Sequence, residues 1–194
     1  MIRLCYAMVS EEQMRLFIAV EIDDANKSRL AKIREELRFN SSQGSYTLTE
    51  NFHLTLAFLG ETDVSNIPMI TDAMDRVEFS PFMMKLTHLG AFRRPNGDLW
   101  WIGIDSSEQV KQLQCRLKES LFSKGIWFDP KPFVPHLTLA RSVRLNRSLE
   151  MKSLLSRKVD ISLSVRQISL MQSDRVDGKL VYIPLHTTRV QNLS

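Results

Sequence analysis

The chain of 194 residues has little of what commits a protein to special chemistry. Its two cysteines, Cys5 and Cys115, are too few for a disulfide framework and lack metal-ligand spacing. They point to a reducing compartment, and the cytoplasm is the expected location. Seven glycines and seven prolines, without a repeat period, exclude collagen-like and low-complexity chains. No apolar run approaches membrane-spanning length. Met1–Val9 is short and apolar, but Glu11 and Glu12 follow it and no small-residue cleavage site is evident, so it reads as neither anchor nor leader. Met14 opens a strand-like run; residues 1–13 are therefore expected to be an extension, and 14–194 a single bilobal domain.

What is present is ordinary globular material, 43% hydrophobic and 25% charged, which excludes a disordered chain. Lys and Arg outnumber Asp and Glu by 26 to 22, a balance that favours an anionic partner without requiring one.

Arg15–Ile22 reads as a buried strand, and Asp23 or Asp24 caps a helix over 24–38 with Leu30, Ile33 and Leu37 on one stripe. Asn40–Ser45 reads as a loop. A second helix is expected over 64–77, with Pro68 in its first turn. Phe82–Phe92 and Leu99–Ile104 form a hairpin through Asn96-Gly97. Asp105–Ser107 cap a third helix reaching Ser123, and 148–155 is a shorter one. Two strands close the chain, over 160–172 and 180–187.

The most informative feature is a repeat. His53-Leu54-Thr55-Leu56-Ala57 returns as His136-Leu137-Thr138-Leu139-Ala140, using two of only four histidines. In a strand, His and Thr share one face while the leucines share the other. Each segment thus offers an imidazole beside a hydroxyl and anchors itself with leucines. The layout predicts an α+β fold of two pseudo-symmetric lobes of mostly antiparallel sheet, with helices outside, a crossover near residue 105, and both His-x-Thr faces lining a central groove.

Two imidazoles can divide acid and base work near neutral pH, one giving a proton while the other takes one. Threonine hydroxyls on the same face can donate to phosphate oxygens and stabilise charge building on phosphorus. A single such strand would be unexceptional, its histidine merely satisfied. Recurrence of the same five residues 83 positions apart argues otherwise. His88 and His186 lack this context and read as surface or structural residues.

Paired His-x-Thr motifs, with Met14-Arg15-Leu16-Phe17-Ile18-Ala19 before the first, Phe58-Leu59-Gly60 after it and Pro132-Phe133-Val134-Pro135 before the second, resemble the 2H phosphoesterase superfamily. More narrowly, they resemble its RNA 2′,3′-cyclic phosphodiesterases, also called 2′–5′ RNA ligases, over residues 14–188. The resemblance implies metal-independent hydrolysis of RNA 2′,3′-cyclic phosphate ends to 2′-phosphates, with reverse 2′–5′ ligation. His53 would be the proton donor and His136 the acceptor, with Thr55, Thr138 and Arg141 binding substrate. It implies no metal and no cofactor. The expected partners are RNA with cyclic phosphate ends, tRNA fragments among them, or cyclic nucleotides; a monomer with no membrane contact is expected.

Strict alternation puts Arg141 on the leucine face, so it reaches the groove only if the strand ends or twists there. Trp100, Trp101 and Phe133 could stack on a base, and Arg93-Arg94 could attract phosphate, against the plainer readings of core and solvated turn. Two other functions compete: a non-catalytic RNA-binding module using the same groove, and a metal hydrolase, weak because nothing near the histidines completes a ligand set.

Overall fold

The computed structural model describes residues 12–105, 108–146 and 148–190. Within them the order is β1 (Gln13–Glu21), α1 (Asp24–Phe39), β2 (Ser41–Tyr46), β3 (His53–Asp63), α2 (Ile67–Asp75), β4 (Phe82–Phe92), β5 (Asp98–Asp105), α3 (Glu108–Ser123), β6 (His136–Leu145), α4 (Ser148–Ser156), β7 (Lys158–Val165), β8 (Gln167–Val176) and β9 (Lys179–Arg189). Two sheets form, in the orders β3-β1-β8-β9 and β2-β6-β5-β4-β7. Every pairing is antiparallel. The expected α+β class with mostly antiparallel sheets is what forms. Most of the expected extension, residues 1–11, lies outside the described residues, while Gln13 pairs with Asp63 at the start of β1.

The leucine faces build the core. Leu54, Leu56, Leu137 and Leu139 are all buried in one cluster that both sheets share with α1, α2 and α3. Asp23 caps α1 by accepting the Asn26 backbone N–H at 2.9 Å, and Leu30, Ile33 and Leu37 turn its apolar stripe inward. With helices on the leucine faces, the opposite faces are left for the groove. Truncating any of these four leucines to alanine would cost about 2–5 kcal/mol.

Three expectations need correction. Residues 41–46 are a strand, not a loop: Ser41, Gln43, Ser45 and Tyr46 pair with β6, so tertiary hydrogen bonding overrides weak strand propensity at a sheet edge. The strand expected over 160–172 is two strands that join different sheets, β7 beside β4 and β8 beside β1. The chain changes sheet at Arg166, whose carbonyl accepts the Val190 N–H at 2.9 Å. Finally, the sheets are not sequential halves divided near residue 105. β2, β4 and β5 from the first half pair around β6, and β8 and β9 from the second pair beside β1. The cap expected at Asp105–Ser107 falls largely on residues outside those described; Asp105 itself ends β5.

Both repeats carry the same irregularity. Thr55 and Ala57 face Ala19 and Ile18, leaving Leu56 as an extra residue. Thr138 and Ala140 face Trp101 and Trp100, leaving Leu139 as the extra one. A second bulge follows in β6, where Val143 and Ala140 face Asp98 and Trp100, and Ser142 adopts φ 53°. The hairpin turn packs onto it: Gly97, at φ +102°, approaches so closely that a Cβ would lie 2.6 Å from the Ser142 carbonyl carbon. Gly178 also has positive φ, +76°, but faces open space. Gly97→Ala should therefore cost about 2–3 kcal/mol, from conformational strain plus the clash, and Gly178→Ala only about 1 kcal/mol. Urea unfolding of both variants measures the difference; equal losses would contradict the packing of the turn on the β6 bulge.

Candidate active site

His53 begins β3, at the edge of the four-stranded sheet, and His136 begins β6 in the five-stranded one. The two strands adjoin where the sheets meet. The connection is short: β2 pairs with β6, then Thr47 donates its backbone N–H to Leu139 O at 2.9 Å and its hydroxyl to Thr138 O at 3.0 Å, and a one-turn 3-10 helix at Thr49–Asn51 leads into His53.

The two imidazoles are held alike. His53 Nδ1 lies 2.8 Å from the Asn51 carbonyl oxygen, and His136 Nδ1 lies 2.6 Å from that of Val134. A carbonyl can only accept, so each Nδ1 carries the proton and donates it. Each neutral ring therefore leaves Nε2 as its free base position. In both cases the acceptor is two residues upstream. Asn51 is itself buried and anchored, its side-chain amide donating to Leu180 O at 2.8 Å.

His53 Nε2 lies 3.0 Å from Thr55 Oγ1, the hydroxyl two residues on and on the same face. The His53 ring is flanked by Phe17 at 4.8 Å and Tyr182 at 5.0 Å between centroids. Phe17, Ala19, Met171 and Tyr182 form a small apolar cluster on this face, separate from the main core. The His136 ring sits 5.5 Å from Phe92 and 6.1 Å from Trp101, and Trp101 pairs in register with Thr138.

Burial pushes His53 down to about 4; the Asn51 carbonyl opposes this, while the charges of Arg141 and His136 add to it. His136 is lowered too, first by burial and then by Arg141, with the Val134 carbonyl opposing. Both rings are thus neutral at neutral pH. The same charges show what is brought together: Arg141 acts on both histidines and on Tyr182. Arg141 is exposed instead of sharing the leucine face, because the extra residues at Leu139 and around Ser142 break the alternation.

The remaining candidates separate. Trp100 is fully buried in the core, whereas Trp101 is half-buried on the groove side. Arg93 pairs with Asp98 at 2.7 Å, an ion pair within the hairpin turn. His186 bonds Asp75 on α2 at 2.8 Å. His88, with nothing in its local sequence to single it out, shares a register row with Gly103 and His136. The flanking rings Tyr182 and Phe92 lack a sequence signal as well; only strand register brings them to the histidines. Among the described residues no three His, Cys, Asp or Glu side chains gather as a metal ligand set, and no helix is long and apolar enough to cross a membrane.

Comparison with known proteins identifies the family and the fold. Residues 18–177 match the family model of the 2′-5′ RNA ligase superfamily. The chain is 34% identical over 134 residues to an RNA 2′,3′-cyclic phosphodiesterase of Archaeoglobus fulgidus, covering 69% of this chain and 75% of that one. It is 24% identical over 185 residues to one of Methanothermobacter thermautotrophicus, covering 92% of this chain and all of the other. In fold it resembles Escherichia coli LigT complexed with 3′-AMP, with a TM-score of 0.78 at 22% identity over 93% of this chain and all of that one. A Thermus thermophilus protein of known structure superposes with a TM-score of 0.74 at 22% identity, over 93% and 100% of the two chains. With the model spanning most of the chain and the doubled motif inside it, the protein belongs to the 2′-5′ RNA ligase superfamily.

Proposed function

We propose that the protein is an RNA 2′,3′-cyclic phosphodiesterase that opens the ring by acid–base catalysis between its two imidazoles, without a metal. The observation carrying this is the matched pair of Nδ1–H to carbonyl bonds, one in each sheet, which leave Nε2 of each ring as its base position. The names of the relatives support RNA cyclic phosphates as the substrate class.

In the reaction, water attacks phosphorus and gives a proton to His136 Nε2. The bond from phosphorus to O3′ breaks, and protonated His53 Nε2 gives its proton to O3′. The product keeps its phosphate on O2′. Thr55 and Thr138 donate to the nonbridging oxygens, where charge builds as the phosphorus becomes five-coordinate. Arg141 adds a positive charge near both rings. With a 5′-hydroxyl in place of water, the same displacement gives a 2′–5′ bond.

His53 needs a proton to act as acid, yet burial disfavours one. The substrate resolves this, because an anionic phosphate beside the ring favours imidazolium and raises its pKa. The buried site therefore arms its acid when the anion arrives.

The decisive assay incubates an oligonucleotide ending in a 2′,3′-cyclic phosphate with excess chelator. Conversion to the 2′-phosphate is expected, with His53→Ala and His136→Ala each slower by about 10²–10⁴-fold. Thr55→Ala and Thr138→Ala should each lose about 100-fold in kcat. Salt-sensitive RNA binding with no change of end group would instead mark a binding module. Faster turnover of mononucleoside cyclic phosphates would move the substrate away from RNA.

The pH dependence follows from the lowered histidines. For kcat/KM, which reports the free enzyme, both limbs of a bell should fall below about 6.5, one near about 4. For kcat, which reports the complex, both limbs should move to higher pH, since the bound anion stabilises each imidazolium. A flat profile between about pH 4 and pH 8, or kcat limbs below those of kcat/KM, would contradict the assignment.

A further inference from the structure

Beside His136 the five-stranded sheet has a floor of rings made possible by two glycines. Gly103, the register partner of His136, lies under the His88 ring so closely that a Cβ there would be 2.2 Å from it. Gly90 lies in the same way under Trp101, 2.3 Å from where its Cβ would be. His88 and Trp101 meet edge-on at 5.5 Å between centroids, and Trp101 reaches Phe92 at 5.2 Å. Over this floor opens a cleft of about 300 Å³, walled by Phe133 on the approach to β6 and by Lys111 of α3. Side chains at either glycine would fill the space the rings occupy.

We propose that this cleft receives the 5′-terminal nucleoside of a second RNA strand, whose 5′-hydroxyl takes the place of water in joining. This inference builds on the reading above, in which His136 is the base and His53 the acid. In-line displacement puts nucleophile and leaving group on opposite sides of phosphorus. The sugar of the cyclic phosphate, bonded to phosphorus through O2′ and the departing O3′, belongs on the His53 side, beside Phe17 and Tyr182. The incoming nucleoside must approach past His136, where the ringed cleft lies. In the step, the 5′-oxygen bonds phosphorus, the bond to O3′ breaks, the hydroxyl proton passes to His136 and the His53 proton passes to O3′. The phosphate remains on O2′, so the new linkage is 2′–5′.

The chemistry of the cleft suits that occupant. Flat rings stack on any base, which gives affinity without sequence demand. The Lys111 ammonium can meet the phosphate that follows the first nucleoside, a contact expected to weaken with salt. Water needs none of this, so hydrolysis alone gives no use for the cleft.

Photocrosslinking with the intact protein tests the inference. A 5′-hydroxyl oligonucleotide carrying 5-iodouridine at its first position should crosslink to Trp101, His88 or Phe133. A strand carrying it at the cyclic-phosphate end should not. In parallel, Trp101→Ala should raise KM for the 5′-hydroxyl strand by about tenfold, more than it raises KM for the cyclic-phosphate strand, and Trp101→Phe should restore most of the loss. Crosslinks from the 5′-terminal base to Phe17 or Tyr182, or equal effects of Trp101→Ala on both strands, would overturn it. The hydrolysis assay separates the two levels: absence of cyclic phosphate turnover by the unaltered protein sinks the proposed reaction, whereas turnover without crosslinks in the cleft overturns only the second-strand site.

Discussion

Each histidine of this site is oriented by one hydrogen bond, from its Nδ1–H to the backbone carbonyl two residues upstream, and the rest of the groove has meaning only if that bond holds. It fixes the tautomer and turns Nε2 away from the backbone. A side-chain acceptor would bring its own charge and rotamers; a carbonyl brings neither. It must itself be held, and the fold does so on the His53 side by burying Asn51 and tying its amide to Leu180. β9 thus supports the one-turn helix that leads into β3, the strand at the far edge of its own sheet.

The bulges complete the arrangement. A regular strand keeps every second residue on one face, so a His, a Thr and an Arg at positions one, three and six are not brought together by alternation alone. The extra residue at Leu139 and the left-handed Ser142 rotate the end of β6 and leave Arg141 exposed, within electrostatic reach of both rings. Gly97 is the counterpart on the neighbouring hairpin, since only a residue without Cβ allows the turn to approach the bulge. A turn distant from the histidines in sequence therefore supports the position of a charge in their groove.

Much of this was legible in the chain. The doubled pentapeptide predicts two strands with His and Thr on one face and leucines on the other, and the buried leucines and half-buried histidines have that alternation. Helical stripes such as Leu30, Ile33 and Leu37 identify helices because burial has a period that sequence records. Pairing partners have no such record. β2 is a strand only because β6 accepts it, and Ser-Ser-Gln-Gly-Ser has no propensity to announce that. The split between β7 and β8 is equally silent, as one apolar run serves two sheets through a single residue, Arg166. His88 and Trp101 reach the groove for the same reason: register across β4, β5 and β6 aligns them with His136 and Thr138. Backbone acceptors such as the Asn51 and Val134 carbonyls carry no side-chain signature at all.

Two imidazoles, each with its proton on Nδ1 and neutral until an anion binds, are proposed to address one phosphate through Nε2. Nitrogen-15 NMR of the histidine side chains, recorded with and without a nucleoside 2′-phosphate, tests it most directly. The Nδ1–H tautomer is expected at both His53 and His136 in the empty protein, and both should become easier to protonate when the ligand binds. Nε2–H tautomers, or a response to the ligand at only one of the two rings, would contradict it.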